Sequence, residues 1–201
     1  MWQILISPKE TIDIPSSTAV RQRRGLYTAF FLCLYITSVF VGMNLHKSIN
    51  ISGSLNWDTI NARMANLPMF LLILKNNALL AILMICGFCT FGVLNFGVIV
   101  YNGIILGSFI REGINFGGIW QTSLLILPHG IWEITWMIAA SAFSLNLSHA
   151  FKQLLDSNLE DRSFLRLLFG STSLYIILMV IIAAAIETYI TPILFTTFSS
   201  M

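Results

Sequence analysis

Charge is scarce in this sequence. Of 201 residues only 10% are Asp, Glu, Lys or Arg, against about 25% in an ordinary soluble domain. A chain of this length could build a soluble core, but it would need a charged surface to stay dispersed, so that class is excluded. Basic residues form no patch interleaved with aromatics, which excludes nucleic-acid binding. Cysteine is also scarce, and Cys33, Cys86 and Cys89 all lie in apolar runs. Cys86 and Cys89 have no second pair nearby, so they read as small apolar packing residues, with no disulfide and no metal centre inferred. The GxSxG elbow, the GxxxxGK[ST] phosphate loop and the HExxH zinc motif are missing. No cofactor is implied, and any ATP-driven step would need an ATPase on another chain. The pattern of a cleavable signal is missing too, because residues 11–20 are polar and turn-like where a signal places its apolar stretch.

What is there is apolar. Hydrophobic residues make up 56%, with 15 Phe, 5 Trp and 5 Tyr, and the mean hydropathy is +0.80. The reading is all-α: a polytopic transmembrane helical bundle with five membrane-embedded elements. Residues 1–25 form a cytoplasmic lead, and residues 26–201 form a single membrane domain. The first span covers about 26–43. Arg21, Arg23 and Arg24 precede it and only Lys47 follows closely, so the positive-inside rule puts the N-terminus in the cytoplasm. An outer loop occupies 44–68, with a short helix expected over 58–67. Residues 78–110 carry no formal charge over 33 positions, about 50 Å as one helix and too long for a single crossing of about 30 Å. They divide into a second span that begins near Met69 and ends near 91–95, and a short third element over about 96–110, either a steep span or re-entrant. A turn is expected over 111–118, with Arg111 and Glu112 capping the short third element. Pro128 is expected to break the next apolar stretch over 127–130, because proline removes a donor and clashes with the preceding turn. Residues 149–168 alternate polar and apolar groups at helical spacing and read as a cytoplasmic amphipathic segment. The last span covers about 171–193. Glycines 87, 92, 97, 103 and 107 recur at short intervals, which lets helix backbones approach closely.

Two polar sets are stranded in these runs. His129 and Glu133 are four apart and share a helix face. If Pro128 started a new half-helix, the free amides of His129 and Gly130 would favour an anion. A carboxylate at mid-membrane costs about 2.5–3.5 kcal/mol, so Glu133 must be paired, protonated or in contact with water. The pair is either a substrate or relay site or a hydrogen bond that holds the bundle. HxxxE alone is not a zinc motif, and no metal is assigned. Asn76, Asn77, Asn95 and Asn102 form the second set; interhelical hydrogen bonds explain them, and a site joining Asn77, Asn102, His129 and Glu133 is the functional version. Glu187 reads as interfacial, and Lys75 and Arg111 as partners for Glu133 or Glu187.

Three motifs together resemble a known family. They are Lys75-Asn76-Asn77-Ala78, Tyr101-Asn102-Gly103-Ile104-Ile105-Leu106-Gly107, and Leu127-Pro128-His129-Gly130-Ile131-Trp132-Glu133, the last followed by Ala139-Ala140-Ser141-Ala142. In order and spacing they resemble the stage II sporulation protein M family of integral membrane proteins, whose relatives include chains encoded with circular bacteriocins. The resemblance implies a bacterial cell membrane and a scaffold or recruiter for envelope-degrading partners, or a maturation, export or immunity component beside an ABC-type ATPase. It makes Asn76, Asn77, Asn102, Gly103, Gly107, Pro128, His129, Gly130 and Glu133 the family motif.

The expected function is therefore a non-enzymatic membrane subunit of a multiprotein complex for peptide export or immunity, or for envelope remodelling. Its expected partners are membrane lipids, an ABC-type ATPase or envelope proteins, and a peptide substrate. The alternatives are a permease-like transporter subunit working with a separate ATPase, and an intramembrane enzyme of peptide maturation using His129 and Glu133. The orientation is directly testable. A cysteine at Lys152→Cys should resist a membrane-impermeant thiol reagent in intact cells and react once the cells are opened; labelling in intact cells would reverse the topology.

Overall fold

Every buried backbone N–H and C=O in hydrocarbon must be paired within the chain, and a helix does this locally. The computed structural model describes residues 17–45, 66–156 and 161–198, which are helical with short connections and contain no strand. Residues 1–16, most of the expected outer loop 44–68 and residues 157–160 lie outside the described residues.

Helix α1 is Ser17–Leu45. Helix α2, Leu67–Cys86, starts where the Asn66 side chain accepts a hydrogen bond from the Met69 amide at 2.9 Å. Pro68 sits in its first turn, where a missing N–H costs nothing. A 3-10 turn, Gly87–Thr90, ends at Phe91 and Gly92, both left-handed, with φ 50 and 85°. Helix α3 is Val93–Leu155, 63 residues, with one non-helical residue inside it, Gly118, at φ 84 and ψ 175°. At about 1.5 Å per residue such a helix would be about three bilayer cores long if straight. Gly118 instead folds it into a hairpin. A Cβ on Gly113 would touch the Thr122 side chain at 2.7 Å, and far from the bend Ser148 donates to the Phe88 carbonyl at 3.0 Å. The first arm is Val93–Asn115 and the second Gly117–Leu155. Helix α4 is Asp161–Leu168, α5 is Ser171–Ala185, a π-helical turn covers Ile186–Ile190, and α6 is Thr191–Phe198. Five segments are long and apolar enough to cross a membrane: Arg23–Leu45, Leu67–Thr90, Val93–Asn115, Gly117–Leu155 and Arg162–Phe198.

The all-α bundle with a broken helix stands, with corrections of position. The break lies at Gly118, whereas the backbone stays helical through Pro128. His129 and Gly130 therefore do not begin a half-helix. The ψ near 175° at positive φ belongs to a region that essentially only glycine occupies, so the Gly117-Gly118 pair can reverse the chain where a proline only weakens a helix. The third element is not a short piece over 96–110: it has 23 residues, about 34 Å, enough to span. It runs on through Arg111 and Glu112, and Glu112 is buried rather than a cap, 1% exposed, with its Oε2 unpartnered. The 149–168 segment is the end of α3 followed by the separate α4. Phe88, Phe151 and Phe164 pin the two together, with ring centroids 5.2–6.0 Å apart, while Leu155 and Leu165 face outward.

Helix α1 packs chiefly on α3, and small residues decide how closely. A Cβ on Gly42 would collide with the Ile104 carbonyl, one on Gly107 with the Val39 carbonyl, and one on Gly103 would meet Ser38 Cβ at 2.6 Å. Gly97, from the same series, faces open space. Trp136, Met84, Ile99, Phe143, Leu147 and Ile176 fill the core between α2, α3 and α5. The three thiols are free and exposed, so they do not pack inside as expected. Gly107→Val should lower stability by about 1–3 kcal/mol through overpacking, read as a lower melting temperature in detergent. Gly97→Val should leave it nearly unchanged; equal losses at both sites would show that the close approach of α1 and α3 is not what glycine serves.

Candidate functional site

The end of the bundle nearest Gly118 holds a cavity of about 400 Å³ between α1, α2, both arms of α3 and the α5–α6 region. That size suits a small-molecule ligand. Its position is set by the turns around it. Gly118 brings Gly113 and Thr122 together on facing arms, and Trp120 Nε1 donates to the Phe198 carbonyl at 3.0 Å, which ties the last helix to the bend. Deeper in the bundle the walls are Asn102, His129, Glu133, Met137 and Tyr35.

Of the four residues expected to form a site, three line this cavity: Asn102, His129 and Glu133. His129 and Glu133 share a face because the helix is unbroken through Pro128. They do not bond to each other in the described hydrogen bonds; the His129 Nδ1 lies 3.3 Å from the Thr191 hydroxyl of α6. Asn77 sits alongside the Glu133 carboxyl group, yet its Nδ2 closes no hydrogen bond of normal geometry. It is not itself part of the lining.

The remaining family-motif residues lie outside this lining, and only some of them serve the packing. Asn76 is exposed, Gly103 and Gly107 seat α1, and a Cβ on Gly130 would make only ordinary contact with Ile126 Cγ2 at 3.5 Å. Asn95 makes the interhelical bonds that its burial demands. It is 0% exposed, donates to the Met84 carbonyl of α2 at 2.9 Å and accepts from Ser144 at 3.4 Å. Asn102 instead donates to Val98, one turn back in its own helix, at 2.9 Å.

Sequence reasoning misses Glu187, Thr188, Thr191 and Tyr35, all in the lining. Glu187 reads as interfacial because it falls near the end of an expected span over 171–193. The span runs on to Phe198, which sets the carboxyl group deeper, opposite Glu133's arm. The signal that could have found it is that Glu133 and Glu187 are the same anomaly, one carboxyl group in a long apolar run. Lys75 and Arg111, named as partners for these carboxyl groups, are exposed on the outside of the bundle. Among the described residues, no three of His, Cys, Asp and Glu are grouped as a metal would require.

Known proteins place the chain. A family model described as Stage II sporulation protein M matches residues 27–192. An uncharacterized protein of Methanocaldococcus jannaschii is 31% identical over 156 residues, which covers 72% of this chain and 84% of that protein. No solved structure matches.

The two asparagines separate packing from site. Asn95→Ala removes two interhelical bonds of a fully buried side chain and leaves the buried Ser144 hydroxyl without its acceptor, which should cost about 1–3 kcal/mol, measured as a lower melting temperature. Asn102→Ala removes a bond to a carbonyl its helix already uses and should cost well under half of that. A larger loss at Asn102 would make it a packing residue after all.

Proposed function

The chain belongs to the stage II sporulation protein M family, and from that premise we propose that it is a non-enzymatic membrane subunit of a multiprotein assembly. The assembly works in export of, or immunity to, a peptide, or in remodelling of the cell envelope. The observation that carries this reading is how the described residues are used. Five candidate spans take up nearly all of them, and the described part outside those spans holds no globular unit that could bind a nucleotide or house a hydrolase. Energy and covalent chemistry then come from partners: an ABC-type ATPase, or envelope proteins.

The N-terminus is cytoplasmic in this reading, in a bacterial plasma membrane, so the Gly118 end of the bundle, with the cavity beside it, faces outward. The end of α3 and α4 are then the cytoplasmic docking surface, where exposed Lys152, Arg162 and Arg166 are available to a partner. The cavity favours one second reading, a permease-like transporter subunit working with a separate ATPase. A transport site near mid-membrane uses polar groups carried on several spans, and His129, Asn102 and Glu187 come from three.

Purification from native membranes in mild detergent should bring down an ATPase or an envelope protein in constant ratio, identified by mass spectrometry. Liposomes containing only this chain should neither move nor cleave a peptide. Either activity from the chain alone would overturn the subunit reading.

A further inference from the structure

The polar groups that line the cavity differ in what their hydrogens are doing. Asn102 gives an amide hydrogen to the Val98 carbonyl at 2.9 Å, Thr122 gives its hydroxyl to Gly118 at 2.8 Å, and Thr188 gives its hydroxyl to Ala184 at 2.8 Å. These bonds turn the two hydroxyl hydrogens and one of the two Asn102 amide hydrogens back onto their own helices, so the hydroxyls keep oxygen lone pairs for a guest and Asn102 keeps its carbonyl oxygen and one N–H. Glu133 adds a carboxyl group, Glu187 a second, and no Lys or Arg is among the lining residues. Tyr35, the His129–Thr191 pair and the second Asn102 amide hydrogen remain as donors in the lining. With two carboxyl groups and no Lys or Arg, such a wall favours a guest that carries N–H donors and positive charge.

A second feature defines the rest of the guest. Tyr35, Leu106 and Ile126 line this cavity and also a neighbouring groove of about 260 Å³ between α1 and the second arm of α3. The groove's own walls are apolar, among them Val39 and Ile134. At its rim, Ile36 and Ile131 are 59% and 60% exposed on a span surface, where they meet lipid tails. The acceptor-rich cavity and a groove open to hydrocarbon therefore share a wall.

We propose that cavity and groove together bind a membrane amphiphile with a primary ammonium head and a hydrocarbon tail. The head lies against Glu133 and Asn102, and the tail leaves past Tyr35 into the groove lined by Gly130. A soluble cation would fill the cavity and leave the groove unused. An anionic amphiphile would bring its charge against two carboxyl groups. The site goes beyond the subunit reading and does not rest on it, since a chain working alone could hold the same ligand.

The test uses the full chain in phosphatidylcholine nanodiscs and a dodecylamine analogue carrying a photoreactive diazirine on its tail. Crosslinks in the wild-type chain should map to the peptides that contain Ile36 and Ile131. Excess dodecylamine should suppress them, while excess butylamine or dodecanoic acid should not. Glu133→Gln, nearly isosteric, should reduce crosslinking about tenfold. Gly130→Phe fills the groove from a position where a Cβ meets only ordinary contact, and it should abolish crosslinking at Ile131. Equal labelling of wild type and Glu133→Gln, labelling spread evenly over every lipid-facing helix, or equal competition by dodecanoic acid would each overturn the proposal. Competition by butylamine as strong as by dodecylamine would overturn it in favour of a water-borne cation, such as a lysine side chain of a peptide. Mapping in the wild-type chain decides the matter even if a variant fails to fold.

Discussion

In hydrocarbon, a polar group has no partner except another part of the protein, and an unmet one costs several kcal/mol. This constraint dictates most of the structure. It makes the described chain helical, since a helix pairs each backbone group within one turn. It also governs the small hydroxyl residues. Thr28, Thr37, Ser38, Thr135, Ser141 and Thr188 each donate to the carbonyl four residues back, at 2.6–3.0 Å. Such side chains are satisfied without any neighbour, so hydroxyl residues scattered through an apolar run need no site to explain them.

A carboxyl or amide group has more atoms to satisfy than one local bond can reach. Asn95 shows what full satisfaction requires: a carbonyl of the preceding span, a hydroxyl of the hairpin's other arm, and a glycine at 87 that leaves room, because a Cβ there would collide with the Asn95 Oδ1. Glu133 and Glu187 line a cavity. The same scarcity of donors thus yields two outcomes, a sealed interhelical knot at one end of the bundle and an open acceptor-lined space towards the other. A buried seam stabilises the fold and nothing can enter it. The cavity is where something from outside the chain can interact.

How much of this is legible in the sequence depends on whether a feature is local. Four of the five spans come close to position, because hydropathy and charge are additive along a helix. The third is cut short, since Arg111 and Glu112 look like the end of an element when only their charge is weighed; the fold buries Glu112 and leaves Arg111 outside. Pro128 outweighs Gly118 in a sequence reading because a proline always removes one donor. Whether that breaks a helix depends on the neighbours, and reversing the chain needs a backbone conformation that glycine supplies and proline does not. Glu133 and His129 are legible as a pair because a helix places positions four apart on one face. Their joining to Glu187, Thr191 and Tyr35 is not, for no local rule relates positions from three different spans.

The α5–α6 join shows why such a site resists sequence reading even once its residues are suspected. Pro192 has no N–H to give the Thr188 carbonyl. The turn before it widens into a π turn, in which the Thr191 amide donates to the carbonyl of Ile186, five residues back. The extra residue rotates the rest of the segment by about 100° relative to a continued α-helix. Thr191, the residue that meets His129 at 3.3 Å, lies just beyond that turn. Projecting the segment on a regular helical wheel therefore turns Thr191 away from the partner it has in the fold, although Glu187 before it keeps its place. The direction of Thr191 thus follows a missing amide hydrogen at the next residue, and that effect appears only in three dimensions.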